Sequence, residues 1–411
     1  MGVKLILPEL LRFRILIDFV SYYTAARGYD AVNIYHLANL ESIAENMHLM
    51  RSIEVVYQRI YPYLYPPVLA FYLQPLAQLK YALAYRVWLV FTWALIPLVV
   101  WQTLSLGTNL SNPHHRPAWI AASTAMIFLY TLPFDMDINQ GQVNIFLLSL
   151  LLTSFYLTFV RKREGLAGGA LALAALVKVT PAFLLTFFFL SKKRRVILGF
   201  LGGGFLLILP TLFGQGIAQW KHFFTFVLTA SQTYEITNLR DPGMVSNISL
   251  LGALTRLGLS QTWAYGGDVL LLILLAGPIW VLHYRVQGQP FPGFGLLTAY
   301  LTVMILAAPY AWIVHLIYLY PALVWAFSRE LSPEARDAVP RYVLVLLFLF
   351  TLLAGVDFPE LYDQFPLLRA IPPALRSLNT FSLLAIYAIG LYLGWQETRE
   401  APHRGTPTVK T

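Results

Sequence analysis

Read for its hydrophobic and polar positions, the chain is a series of long apolar runs divided by short polar knots. Runs nearly free of charge recur around residues 118–134, 143–160, 196–213, 268–283, 294–308, 316–327, 343–354 and 381–395. The longer ones reach about 17–20 residues, enough to cross a bilayer core of about 30 Å as a helix. The strict alternation of a membrane-spanning barrel is absent. The pattern predicts an all-α, polytopic membrane protein of about eleven spans, with external loops carrying short amphipathic helices.

Three stretches depart from simple spans. Residues 165–190, "GLAGGALALAALVKVTPAFLLTFFFL", lie between basic knots and contain Pro181, which breaks a helix and disfavours helical geometry just before it. The chain is expected to reverse at Lys178-Val179-Thr180-Pro181, giving two arms of about 20 Å each. Residues 61–104 are long enough for two spans, yet parity demands an odd number. "YLYPPVLAFYLQPLAQL" is therefore expected as a short external or re-entrant helix. The opening "MGVKLILPELLRFRILI" carries a proline, a glutamate and three basic residues, a poor first span. It is expected either at the membrane interface or behind a first helix missing from the chain.

Composition sharpens this picture. The 411 residues are 58% hydrophobic and 12% charged, where soluble domains carry about 25% charged residues. Mean hydropathy is +0.62. A single membrane domain over 1–411 is expected. The net charge of +9 could point to nucleic acid, but the basic residues sit in short loops, "RKRE" at 161–164 and "KKRR" at 192–195. Cytoplasmic loops have this character, so membrane lipids and no nucleic acid are expected as partners. With no cysteine, disulfides, iron–sulfur clusters and zinc–thiolate sites are excluded. No cleavable signal pattern is present. His114 and His115 have no carboxylate nearby, and "GGG" at 202–204 lacks phosphate-loop context. No metal and no cofactor are expected.

Placing both basic loops inside makes 18–60 the first external loop and 214–259 the second. The first carries five acids against three arginines, a sign that suits the outside. Uncommon polar residues then converge on the external side. Asp18 opens the first loop, and Asp135 and Asp137 precede "INQGQVN" with Asn139, Gln140, Gln142 and Asn144. Lys178, Asn247, Ser249, Arg256 and His315 join them. Ionisable groups at membrane depth are costly and face a cavity or one another. Ordinary roles stay open for each. Asp18 suits a loop acid or helix cap, Lys178 a snorkelling anchor, and His315 an aromatic belt with Trp312 and Tyr318. The amides suit caps and interhelical bonds.

Taken in order, "DFVSYYTAA" (18–26), "YPPVLAFYLQPLA" (65–77), "NQGQVN" (139–144) and "AGGALALAALVKVTP" (167–181) resemble the family 87 glycosyltransferases. "SNISLLGALTRL" (246–257) and "APYAWIVHLIYLYP" (308–321) continue the resemblance. It implies a GT-C-type membrane fold and a polyprenyl-phosphate-mannose-dependent mannosyltransferase of the cell membrane. The implied reaction moves a hexose, mannose first among them, to a lipid or glycan acceptor at the external face, with inversion. It also implies an aspartate early in the first external loop as general base, which is Asp18. The family's lysine ahead of a proline falls on Lys178, and its Trp–His element on Trp312 and His315. The chain departs from the family in a short first helix and in a single histidine where relatives often have two.

The residues themselves fit that chemistry. Displacement at an anomeric carbon needs a base for the acceptor hydroxyl, and a carboxylate serves. A double displacement would need a second carboxylate close by, so one strong candidate suits inversion. Lys178, with Arg256 or His315, is expected to bind the donor phosphate. Asn139, Gln140, Gln142, Asn144, Asn247 and Trp312 are expected substrate contacts. The rival reading is a transporter or flippase for a lipid-linked or sugar substrate, built on broken helices. No internal repeat supports it, and the polar residues gather on one face. In a third reading, a scaffold, Asp18 would be dispensable.

Overall fold

The computed structural model describes residues 16–50, 60–108, 132–227, 243–244, 246–286, 291, 293–330, 340–356 and 375–400. The expected span at 118–134 falls almost wholly outside these residues, as do His114, His115 and the opening stretch before Leu16. Among the described residues every regular element is helical. The first half carries α1 (Ile17–Gly28), α2 (Leu37–Asn46), α3 (Pro67–Ala77), α4 (Tyr81–Thr108), α5 (Leu132–Gln140) and α6 (Asn144–Phe159). Then come α7 (Glu164–Val177), a 3-10 turn at Thr180–Leu184, α8 (Leu185–Leu190), α9 (Arg194–Ile208) and α10 (Gly216–His222). The remainder holds α11 (Leu250–Arg256), α12 (Gln261–Arg285), α13 (Phe294–Leu306), a 3-10 turn at Ile313–Leu319, α14 (Tyr320–Glu330), α15 (Arg341–Ala354) and α16 (Leu378–Glu400).

Four helical stretches are long and apolar enough to cross a membrane: Tyr81–Leu106, Arg194–Leu212, Gln261–Arg285 and Leu378–Thr398. The pair Pro133–Gln140 and Asn144–Phe159, bent by 115°, makes a fifth if taken as one span. Other apolar helices run only 10–17 residues, so the eleven expected spans are not reached by length alone. Residues 61–104 resolve into the short α3 and the start of a single long helix. Pro67 stands in the first turn of α3, where its missing N–H has no intrahelical partner to lose.

Neighbour contacts fix the direction of each helix. The α4 and α6 helices run the same way, since Trp88 Nε1 donates to Gly141 O at 3.1 Å and Gln102 Nε2 to Thr153 Oγ1 at 2.7 Å. The α7 and α9 helices are also parallel, with Gly165 against Gly199 and Gly169 against Gly203. Their starts are joined by a salt bridge from Lys193 to Glu164 at 3.0 Å. Residues 178–193 must therefore travel back along α7, so the chain reverses at Lys178, where α7 ends in extended backbone. By contrast, α13 and α16 are antiparallel, and Glu397 caps the first turn of α13 by accepting from the Phe294 and Gly295 N–H groups at 3.2 and 3.1 Å.

These directions create two poles. At one lie the basic turns 161–163 and 192–195, joined by the end of α12 through His283 Nε2 and Ser191 Oγ, 2.9 Å apart. At the other lie α1, α3, the α5–α6 corner, Lys178 and the 308–315 turn. That pole is stapled across its loops. Gln219 donates to the Tyr29 and Val32 carbonyls at 2.9 and 2.7 Å, and Tyr29 donates to Thr211 O at 2.7 Å. Only 11% of the α9 and α12 apolar windows is buried, so among the described residues most of their surface is uncovered and suits hydrocarbon.

The α7–α9 seam depends on glycine. A Cβ at Gly199 would run into the Gly165 carbonyl, and one at Gly168 into the backbone of Val196 and Phe200. Small residues let membrane helices approach to backbone contact. Gly199→Leu is expected to destabilise the protein by about 1–3 kcal/mol or more through overpacking. Gly202→Leu, on the same helix with open space around it, should melt like the wild type. Thermal unfolding in detergent compares the two.

Candidate active site

The site is assembled at the pole away from the basic turns, around the corner between α5 and α6. Gly141 makes that corner in the left-handed region, φ +72°, and a side chain there would strike Leu16 and Phe19 of the α1 segment. The polar block "NQGQVN" is thus a tight turn pressed against α1. Asn139 and Gln140 close α5, half-buried, while Gln142 and Asn144 are turned inward and buried.

Asp18 does not lie in a loop. It sits in the first turn of α1, a helix buried along nearly its whole length. Negative charge is favoured in a first turn. Gln142 Nε2 donates to Asp18 Oδ2 at 2.7 Å. The Tyr22 hydroxyl donates to the Tyr65 hydroxyl at 2.9 Å, and the Tyr65 hydroxyl lies 3.4 Å from Gln142 Oε1. The order Tyr22, Tyr65, Gln142, Asp18 therefore uses one hydrogen per hydroxyl and fixes the amide so that its N–H₂ end meets the carboxylate. Tyr65 is itself held by its neighbours. Tyr35 donates to Tyr65 O and Tyr63 to Pro66 O, each at 2.9 Å. Burial raises both phenols well above their ordinary range, so they remain donors.

The second half of the cluster centres on Asn144. Its Oδ1 accepts from the Tyr318 hydroxyl at 2.8 Å and from Lys178 Nζ at 3.4 Å, while its Nδ2 donates to Asp137 Oδ1 at 2.8 Å. Asp137 Oδ2 accepts from the Ile145 N–H at 3.4 Å. Lys178 Nζ lies 6.0 Å above the centre of the Tyr65 ring, within cation–π range. It also contacts His315 Nε2. The other imidazole nitrogen, Nδ1, accepts the Trp312 N–H at 2.8 Å. In the neutral ring this leaves the proton on Nε2, so the Nε2–H and the Lys178 ammonium are two donors facing each other, a pair that only an acceptor shared between them satisfies.

The structure thus brings Asp18, Gln142, Asn144, Lys178 and His315 into one cluster, with Trp312 at its edge. Arg256 and Asn247 hold a neighbouring turn. Arg256 donates to Ser377 Oγ at 2.9 Å, Met244 O at 2.7 Å and Asn247 O at 2.8 Å. The Asn247 amide accepts from the Ala311 and Ser249 N–H groups at 3.0 and 3.2 Å and donates to Pro309 O at 3.1 Å. That arrangement sets the turn leading into Trp312 and His315. Asp135 is exposed, whereas Asp137 is fully buried. Among the described residues no three His, Cys, Asp or Glu side chains gather as a metal site. Sequence reasoning missed Tyr22, Tyr65 and Tyr318. In a chain with 24 tyrosines nothing local marks these three.

Comparison with known proteins follows the same residues. The sequence model of Glycosyltransferase family 87 matches residues 63–309. That stretch holds Gln142, Asn144, Lys178, Asn247 and Arg256, and stops short of Asp18, Trp312 and His315. The chain is 27% identical over 280 residues to a protein of Mycolicibacterium smegmatis named polyprenol-phosphate-mannose-dependent alpha-(1-2)-phosphatidylinositol mannoside mannosyltransferase, covering 64% of this chain and 61% of that one. It is 26% identical over 287 residues to a Mycobacterium tuberculosis protein named for the corresponding phosphatidylinositol pentamannoside, covering 67% and 61%. The match therefore spans about 61% of the length of these curated relatives.

Proposed function

This chain belongs to glycosyltransferase family 87, and from that premise we propose that it is a multi-pass, inverting mannosyltransferase. It takes mannose from a polyprenyl-phosphate donor and passes it to a lipid or glycan acceptor at the external face. The observation that carries the proposal is the single cluster joining the Asp18 carboxylate, through Gln142 and Tyr65, to the Lys178 ammonium and His315. The names of the relatives support the donor and a glycosylated phosphatidylinositol as a model for the acceptor.

In this reading the acceptor hydroxyl oxygen attacks the anomeric carbon and the bond from that carbon to the phosphate oxygen breaks. The electron pair leaves with the phosphate. Asp18 takes the hydroxyl proton; it is 9% exposed as a residue, where Asp137 is fully buried. Charge grows on the phosphate as the bond breaks. The Lys178 ammonium and the His315 Nε2–H face each other, and a phosphate oxygen received by both gains two charge-assisted contacts. A transporter would place its polar residues at midplane, whereas these lie at one pole. Basic loops prefer the cytoplasm, which leaves the cluster outside. The short arms, reversing in pairs as at Lys178, supply further crossings, and α1 to α3 with α10 and α11 form the external layer.

Two experiments test the proposal. Purified protein given polyprenyl-phosphate-mannose and a phosphatidylinositol mannoside should form product, and a nucleotide-linked mannose in its place should not. Product from the nucleotide sugar alone would overturn the donor assignment. For the face, cysteines at exposed Arg161 and Arg194 should resist an impermeant thiol reagent in intact cells, and one at exposed Lys221 should react. Labelling of Arg194→Cys from outside would reverse the orientation. Gln219, in the same external loop, is buried and cannot serve as a reporter.

A further inference from the structure

We propose that Asp137 is a positioning residue that sets the donor-phosphate cation Lys178 through the amide of Asn144, an inference that rests on the reading of Lys178 given above. An asparagine amide is nearly the same shape either way round, and only its partners decide which end faces where. Asp137 decides it here. Both of its oxygens accept, Oδ1 from Asn144 Nδ2 at 2.8 Å and Oδ2 from the Ile145 N–H at 3.4 Å. The carboxylate stands at the N-terminal end of α6, where negative charge is favoured.

With Nδ2 held by Asp137, Asn144 Oδ1 must face the other way, toward the Tyr318 hydroxyl at 2.8 Å and Lys178 Nζ at 3.4 Å. Turning the amide over would set an oxygen against the carboxylate and an N–H₂ against an ammonium. Both contacts are repulsive, and the turned amide would lose its three bonds to Asp137, Tyr318 and Lys178. Lys178 follows the last residue of α7 in extended backbone, and Asn144 Oδ1 meets its Nζ together with His315 and the Tyr65 ring. Asp137 is fully buried, and its bond to Asn144 Nδ2 links it to Lys178 through that amide, beside the direct attraction between the two charges.

The test is donor and acceptor kinetics of Asp137→Asn, Lys178→Met and the double variant, with folding followed by size-exclusion profile. Asp137→Asn offers either an oxygen or an N–H₂ to Asn144, so the amide loses its fixed sense. The KM for polyprenyl-phosphate-mannose should rise about tenfold, the scale of one lost contact to a charged group. Acceptor KM should stay put, and kcat should fall by no more than it does in Lys178→Met. In the Lys178→Met background the same substitution should shift donor KM by less than about twofold, because residues acting in series are not additive. Asn144→Ser removes the carbonyl from the other end and should behave the same way, which keeps the question open to test if Asp137→Asn fails to fold. Additive effects, or a loss confined to kcat, would overturn the positioning role. A Lys178→Met protein with wild-type donor KM would sink the phosphate reading itself, and this inference with it. A raised donor KM in Lys178→Met beside an unchanged one in both Asp137→Asn and Asn144→Ser would sink this inference alone.

Discussion

Asp18→Asn is expected to lower mannosyl transfer by about 10²–10⁴-fold, the usual cost of removing a general base. The substitution is close to isosteric, and Gln142 can turn its amide to bond the new side chain, so α1 should keep its buried place. What is lost is the ability to take a proton from the acceptor hydroxyl. Substrate affinities should therefore change little beside kcat. Initial rates with both substrates saturating, on protein with a wild-type size-exclusion profile, measure the effect. Near-normal turnover would move the base elsewhere, with exposed Asp135 the next carboxylate to replace.

Lys178→Met is expected to reduce kcat/KM for the donor by about 10²–10³-fold while leaving acceptor KM near its wild-type value. A cation aimed at a leaving phosphate acts in the ground state and more strongly as charge develops, so both donor KM and kcat should suffer. Lys178→Arg should retain part of the activity, since the charge survives while a point contact becomes a planar fork. That fork must still fit between Asn144 and His315, which limits the rescue. Equal donor kinetics in wild type and Lys178→Met would reduce the lysine to a membrane anchor.

Much of the framework was legible along the chain because it is local. The reversal at Lys178 follows from a proline between two basic turns, and the parallel course of α7 and α9 has the same consequence in three dimensions. The short helix α3 follows from parity and from Pro67. The cluster was legible in its members and not in its wiring. Asp18 and Gln142 are 124 residues apart, and no spacing rule links them. The two halves of "NQGQVN" look alike in sequence, yet the left-handed Gly141 leaves Asn139 and Gln140 half-buried on α5 and turns Gln142 and Asn144 inward. Asp18 read as a loop acid or helix cap because α1 mixes polar residues (Asp18, Ser21, Thr24, Arg27) with apolar ones, and such a segment carries almost no amphipathic period to announce a buried helix. Arg256 read as a second donor-phosphate cation because it is among the few on the external side, and in the structure it donates to oxygens of Ser377, Met244 and Asn247 that bind one turn to another.

The most direct measurement of the central claim is transfer of labelled mannose from polyprenyl-phosphate-mannose by purified protein, wild type beside Asp18→Asn. The lipid product and the released polyprenyl phosphate are both counted. The account predicts that wild type releases one polyprenyl phosphate for each mannosylated acceptor, and that Asp18→Asn forms neither at a comparable rate. Wild-type protein that is folded yet transfers no mannose, or an Asp18→Asn variant that transfers it as fast, would contradict the account.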